Sequence, residues 1–344
     1  MKSPSPTART NNFNLLRFVF AALVIVSHGP ELKDGDRSHE LLTRLFGTLS
    51  FGEFAVDSFF LLSGYLILKS WVSQPEPFDY LRKRVLRIYP GFIVVSLLCV
   101  FLIGPNVGAP DYLTALNVGA ALQSMMLLLP PEGPPVFHGV PYPALNGAVW
   151  TIVYEFGCYL MVLLIGLAAG RRIRAAWLVA TLALLIAYVR GKRGIAWPLY
   201  YPMVRFGMLF AVGGCYYLWR GDLLGRKPWA IGAALLLVPC LFHRNGAELA
   251  VAFLWGYLIL SFAEAPRAAL AWFNQLPDIS YGVYLYAWPV SNLLLFHLPG
   301  IGRIALVLDT LALSVVLGVL SWYAVEKPFI ALKTRRNRPR PVTT

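Results

Sequence analysis

Long runs of apolar residues, separated by short polar and basic segments, dominate the 344-residue chain. Each run is about 15 to 25 residues long, the length with which a helix crosses a hydrocarbon core about 30 Å thick. The pattern predicts an all-α, polytopic integral membrane bundle of about ten transmembrane helices. The predicted spans are 13–29, 52–72, 88–104, 147–168, 175–190, 202–219, 228–242, 248–264, 279–297 and 302–325.

One further apolar stretch, residues 117–129, is short and has prolines on both sides. We expect it to be an interfacial or re-entrant piece of one long loop, residues 105–146, rather than an eleventh span. If it did cross the membrane, every span after it would change direction.

Composition agrees with this class, because 58% of the residues are hydrophobic and 14% are charged, against about 25% charged in a soluble domain. The net charge of +13 comes from Lys and Arg clusters between the apolar runs, so it indicates membrane topology rather than nucleic-acid binding. The loop 105–146 carries no Lys or Arg, which places it outside and both termini in the cytoplasm. We predict a cytoplasmic N-terminal segment (1–12), a transmembrane domain (13–328) and a basic cytoplasmic tail (329–344).

The four cysteines fall inside predicted spans and show no CxxC spacing, so neither a metal site nor a disulfide is expected. They are Cys99, Cys158, Cys215 and Cys240.

Ionisable residues inside the spans are the first candidates for function, because a charge in the bilayer is costly. Arg17 and His28 are eleven residues apart on the first span, so they share one helix face about 16 Å apart. Asp57 and Glu155 are predicted at the depth of His28, where a carboxylate could orient its imidazole. The structural alternatives are that Arg17 anchors the helix, that His28 caps it, and that Asp57 or Glu155 only ties helices together.

A basic segment, Tyr80 to Pro90, precedes the third span and places Arg84 and Arg87 at i and i+3. On a helix these two guanidinium groups point the same way and could bind a polyanion, although membrane topology alone also explains a basic loop. Glu326, at the inner end of the last span, is a candidate ion-pair partner for these cations.

Aromatic residues cluster where the ninth span begins, in the stretch Ser280 to Val290. Tyr281 and Tyr284 could line a substrate channel, and Tyr154 is a third candidate for that lining. The alternative is an aromatic belt at the membrane interface.

Several of these stretches, in this order, resemble the membrane-bound acyltransferase family 3. They are Arg17 with His28, SFFLLSGYLI (58–67), LRKRVLRIYP (81–90), VWTIVYEFGCYL (149–160), SYGVYLYAWPV (280–290) and VEKP (325–328). One departure is Ala287, where many family members carry His.

The resemblance implies a bacterial cytoplasmic (inner) membrane enzyme that moves an acyl group, most simply acetyl, from cytoplasmic acyl-CoA to a hydroxyl of an extracytoplasmic or lipid-linked glycan. It implies no permanently bound cofactor; acyl-CoA is a donor substrate. In this interpretation His28 is the general base or the acyl carrier, with Glu155 or Asp57 as its partner. Arg17, Arg84 and Arg87 then bind the CoA phosphates. The alternative function is a transporter or exporter that uses the same polar residues as a pathway.

Overall fold

A computed structural model describes residues 11–192, 200–265, 270 and 272–332. In this part of the chain the secondary structure is helical, apart from one isolated antiparallel bridge between Gly108 and Val136. The helices that matter here are α1 Phe13–Asp34, α2 Phe51–Ser73, α3 Pro77–Leu97, α4 Ile152–Ala169, α5 Ile173–Arg190, α6 Tyr200–Leu218, α7 Lys227–Leu241, α8 Ala247–Glu264, α9 Ser280–His297 and α10 Arg303–Ser321. Helical turns extend α3 to Val107 and α10 to Ala331.

Each of the ten predicted spans coincides with one of these helices. By length and composition, six helical stretches of the described residues can cross a membrane, and the 43-residue stretch Ala148–Arg190 contains both α4 and α5. The chain is therefore a multi-pass helical membrane protein. The number of crossings, the side of each terminus and the three predicted chain divisions stay predictions, and most of 1–12 and 329–344 lies outside the described residues.

The starts of α2 and α3 are set by local hydrogen bonds. At α2, the Ser50 hydroxyl accepts from the Glu53 backbone N–H, and the Glu53 carboxylate accepts from the Ser50 backbone N–H. At α3, the Glu76 carboxylate accepts from the backbone N–H of Asp79 at 2.5 Å, and Pro77 follows as the first helical residue. These caps satisfy backbone donors that a helix start leaves unpaired.

Two glycines allow α2 and α6 to touch through their backbones. A Cβ on Gly64 would lie 1.9 Å from the Phe210 carbonyl oxygen, and a Cβ on Gly213 would lie 2.1 Å from the Leu61 carbonyl oxygen. Any side chain at either position would force the helices apart, which is the usual reason for small residues at contacts between membrane helices.

The bundle has two ends, which we call the basic face and the loop face. The basic face carries Arg17, Lys69, Lys83, Arg84 and Arg87, where α1 begins and α2 ends. The loop face carries residues 108–147 and the opposite ends of these helices. There Arg303, at the start of α10, forms an ion pair with Asp34, at the end of α1, with Nε 2.7 Å from Oδ2.

Residues 108–147 do not simply cover the loop face. The helix Val118–Met126 has nine residues, so it rises about 14 Å and cannot cross the bilayer alone. The Tyr89 hydroxyl, in the middle of α3, donates to the Met126 carbonyl at 3.0 Å. The short helix therefore lies against the side of α3, and its interfacial or re-entrant position in the membrane stays a prediction.

Candidate active site

A cavity of about 530 Å³ extends into the bundle from the basic face. Along α2 its lining runs from Lys69 to Val56, a rise of about 20 Å. Cations surround the mouth, apolar side chains form much of the walls, and Ser63, Thr151, Glu155, Tyr159 and Tyr284 supply polar groups further in. The cavity is thus long, with cations at one end and with apolar and polar side chains, among them the Glu155 carboxyl, further in.

Two of the predicted arginines at the mouth are held in an ion-pair network. Arg17 Nη1 lies 2.8 Å from Asp278 Oδ2, and Arg87 Nη2 lies 2.9 Å from the same oxygen. Arg87 Nη1 lies 3.0 Å from Glu326 Oε2, the partner that the sequence suggested. Although burial raises the pKa of the Asp278 carboxyl, the charges of Arg87 and Arg17 hold it well below its usual value. Asp278 is not among the site residues predicted from the sequence, because it lies between two predicted spans.

Arg84 has different surroundings, although it also lines the cavity. Its guanidinium lies over the rings of Tyr80 and Tyr159, at 5.6 and 5.8 Å from their centroids. Nη2 is 3.4 Å from the Ser70 hydroxyl, and Nε has no hydrogen-bond partner. Among the described residues that line the cavity, Arg84 is the guanidinium without a carboxylate partner.

Glu155 lies in this cavity and not beside His28. Its Oε1 accepts hydrogen bonds from the Ser63 hydroxyl at 2.8 Å and from the Tyr159 hydroxyl at 2.6 Å. Tyr159 follows Glu155 by one helical turn on α4, a spacing by which the sequence could have identified the pair. The expectation that Glu155 partners His28 is therefore corrected.

The partner of His28 is Glu31, three residues further along α1. His28 Nδ1 lies 3.0 Å from Glu31 Oε2, and about a quarter of the His28 side chain is exposed. The imidazole also packs edge-to-face on Trp288 of α9, with ring centroids 5.3 Å apart. Since α1 continues past Pro30 to Asp34, Glu31 stands on the same helix as His28. The predicted span ended at residue 29, which hid this pair.

Asp57 belongs to a second, separate cluster of charges. Its carboxylate is fully buried and lies 2.7 Å from Arg205 Nη2 of α6, while Arg205 Nε lies 3.2 Å from Glu248 of α8. The expectation that Asp57 partners His28 is corrected as well, because Arg205 occupies its carboxylate. Arg205 lies inside an apolar run and is not among the site residues predicted from the sequence.

Two of the three predicted channel tyrosines line the cavity. Tyr281 donates to the Ile88 carbonyl at 2.9 Å, and Tyr284 lies 2.9 Å from the Thr151 hydroxyl. Tyr154 instead packs against Trp150 and Phe206, outside the cavity lining. Neighbouring helix residues differ by about 100° in direction, so Glu155 faces the cavity and Tyr154 does not.

A family model described as an acyltransferase domain matches residues 10–326 of this chain. The chain belongs to acyltransferase family 3. An O-acetyl transferase of Shigella phage Sf6 is 28% identical over 339 residues, which cover 94% of this chain and 96% of that protein. Nodulation protein 10 of Rhizobium leguminosarum bv. viciae is 27% identical over 354 residues, with 94% of each chain covered. No solved structure matches the chain.

This acyltransferase is therefore an enzyme that transfers an acyl group to an oxygen atom, within a multi-pass membrane fold. At Ala287, where the resemblance leads one to expect His, the side chain packs in a small apolar cluster with Ala21 and Ile25 of α1 and Val283 of α9. The contact that Ala287 makes between α1 and α9 is therefore apolar.

Proposed function

We propose that this acyltransferase takes an acyl group, most simply acetyl, from acyl-CoA at the basic face and transfers it to a hydroxyl of a glycan at the loop face. In this proposal the basic face is cytoplasmic and the membrane is the bacterial cytoplasmic membrane. The observation that carries it is Arg84, a cavity-lining guanidinium with no carboxylate partner among the described residues. A guanidinium whose Nε is buried without a hydrogen-bond partner favours an anionic ligand, and phosphate accepts its forked donors well.

The shape of the cavity supports this donor. CoA has phosphates at one end and a narrow arm, bearing two amides, that carries the thioester at the other end. Lys69 and Arg84 stand near the mouth, where the phosphates would bind. The arm would follow the walls inward, where the oxygens of Glu155 and Ser63 can accept hydrogen bonds from its amide N–H groups.

His28 provides the base in this proposal. Its Nδ1 atom contacts Glu31, which orients the ring and leaves Nε2 to accept a proton from the acceptor hydroxyl. The hydroxyl oxygen then attacks the thioester carbonyl carbon, the carbon–sulfur bond breaks, and the CoA sulfur leaves as a thiolate. A route through an acyl group on His28 itself uses the same contact.

The relatives support the acetyl group and the oxygen acceptor, since one of them is named an O-acetyl transferase. Membership of an acyltransferase family disfavours the alternative of a transporter or exporter. A transporter or exporter would also need no acyl donor.

The test uses mass spectrometry of the exported polysaccharide from cells with and without this protein, together with inside-out membrane vesicles given radiolabelled acetyl-CoA. We expect acetyl esters on the glycan only when the protein is present, and His28→Ala protein of equal abundance as the inactive control. Label that reaches the glycan equally with His28→Ala would refute the assigned site. Unchanged glycan together with unlabelled vesicles would refute the proposed reaction.

A further inference from the structure

Three side chains of α9, each one helical turn after the last, hold residues 142–151, which are the end of the long loop and the turn that leads into α4. Tyr284 lies 2.9 Å from the Thr151 hydroxyl and also bonds the Ala148 carbonyl. The Trp288 indole N–H donates to the Ala144 carbonyl at 3.2 Å. The Asn292 amide N–H₂ donates to the carbonyls of Tyr142 and Ala144, both at 3.0 Å. The loop segment thus runs antiparallel to α9, along one of its faces.

Along this face of α9, the cavity lining ends between Tyr284 and Trp288. Tyr284 and Thr151 line the cavity, whereas neither Trp288 nor His28 is among the residues that line it. The His28 ring packs on the indole of Trp288, one turn beyond Tyr284. Trp288 is thus one helical turn from the cavity lining and in contact with His28.

The indole ring of Trp288 is tightly packed. Gly147 lies against it so closely that a Cβ there would be within 2.5 to 2.9 Å of three indole ring atoms. Tyr142 packs on it from the loop, with ring centroids 6.3 Å apart, and about 8% of the residue is exposed. Contacts with His28, Tyr142 and Gly147 leave the ring little freedom to tilt.

We propose that Trp288 is a positioning residue that separates the donor cavity from His28 and limits the acyl group that reaches His28 to a short one. The inference rests on the proposed function, because it takes the cavity as the donor site. An acyl carbonyl must come within about 3 to 3.5 Å of the atom that attacks it. A donor seated in the cavity must therefore pass its acyl group along the edge of the indole. Acetyl needs little room there, and each further methylene must displace the ring.

The test compares acetyl-CoA with hexanoyl-CoA as donors for inside-out vesicles that contain wild-type, Trp288→Ala or Trp288→Phe protein. The measured quantity is the ratio of hexanoyl to acetyl label in the glycan, after subtraction of the His28→Ala background. We expect this ratio to rise at least about tenfold in Trp288→Ala, since one misfit methylene changes discrimination by roughly 10- to 200-fold. Trp288→Phe, which keeps a ring but not its full size, should give a smaller rise.

Trp71 provides the matched control. It is also a buried tryptophan that packs on a glycine, Gly166 of α4, but it stands at the basic-face end of α2 and does not line the cavity. Trp71→Ala should leave the hexanoyl-to-acetyl ratio within twofold of wild type. Competition by free CoA should be the same in Trp288→Ala and wild type, because Trp288 does not line the cavity. Trp71 is the control for the acyl ratio alone, because it packs on Tyr80, whose ring lies against Arg84.

The outcomes separate the two proposals. A ratio in Trp288→Ala within twofold of wild type, or an equal change in Trp71→Ala, overturns the role of Trp288 and leaves the proposed function intact. If Trp288→Ala does not accumulate, the ratio in Trp288→Phe decides by the same criterion. Wild-type vesicles that transfer neither acyl group overturn the proposed function and this inference with it.

Discussion

Arg84 and Arg87 are three residues apart on α3 and both line the cavity, yet the structure predicts opposite consequences for their removal. Arg84 contacts aromatic rings and a hydroxyl. Arg87 is bound to two carboxylates. Arg84→Ala therefore removes a charge that is free for a ligand, whereas Arg87→Ala removes a charge that the protein itself needs.

In the proposed donor site, Arg84→Ala removes one or more charge-assisted contacts to a phosphate of CoA. One such contact contributes about 1.5 to 3 kcal/mol, which corresponds to a roughly ten- to hundredfold weaker apparent affinity for CoA. Arg84→Lys should recover only part of it, because an ammonium group cannot form the two-pronged contact. The yield of folded protein should stay close to wild type.

Arg87→Ala should behave differently, because it leaves Glu326, about 1% exposed, without its cation. Breaking a buried ion pair from one side costs about 3 to 5 kcal/mol of folding stability. The expected result is a low yield or a lowered thermal transition. The double variant Arg87→Met with Glu326→Gln keeps similar volumes and removes both charges, so it should recover much of that stability.

CoA binding to detergent-purified protein is measured by isothermal titration calorimetry. Thermal stability is measured in parallel, by size-exclusion chromatography of heated samples. Arg84→Ala that binds CoA as tightly as wild type would refute the reasoning, and the basic segment would then be only a topology signal. Arg87→Ala with wild-type stability would show that its ion pairs contribute nothing measurable.

Three further predictions concern other residues of the bundle. His28→Ala should still bind CoA but lose transfer by about 10²- to 10⁴-fold, and Glu31→Gln should lose less; more than about a tenth of wild-type transfer in His28→Ala would remove that residue from the chemistry. Asp57→Asn should lower the free energy of unfolding by about 3 to 5 kcal/mol without changing CoA affinity, because it breaks the buried ion pair with Arg205. An unchanged free energy of unfolding would contradict this. In a chain without native cysteines, Ser73→Cys should react with a membrane-impermeant thiol reagent only from the cytoplasm, and His138→Cys only from outside. Labelling of both from one side would refute the assignment of the basic face and the loop face to opposite sides of the membrane.

The helices could be predicted from the sequence because lipid imposes the pattern. A helix that faces hydrocarbon must be apolar over its whole length, so the runs gave the positions of α1 to α10 to within a few residues at most ends. The start of α3 at Pro77 is an exception, since its first turns are charged and the predicted span began at residue 88.

The partners of the charged residues could not be predicted in the same way. Depth along a span orders residues in one direction only, so Asp57, Glu155 and His28 at similar predicted depth need not face each other. The rotation of each helix about its own axis decides which neighbour a side chain meets, and packing sets that rotation. Arg205 takes Asp57, and Ser63 with Tyr159 takes Glu155.

Helix α9 shows why the apolar pattern is weakest where the site is. Thirteen of its eighteen residues are buried, among them Ser280, Ser291 and Asn292, because α9 faces other helices and the loop rather than lipid. A helix in that position can carry polar groups at every turn, provided that protein atoms satisfy them. The same enclosure brings its Tyr284, Trp288 and Asn292 against residues 142–151. Helix α9 lines the cavity at Tyr284 and contacts His28 through Trp288, so its polar residues indicate contact with protein rather than with lipid.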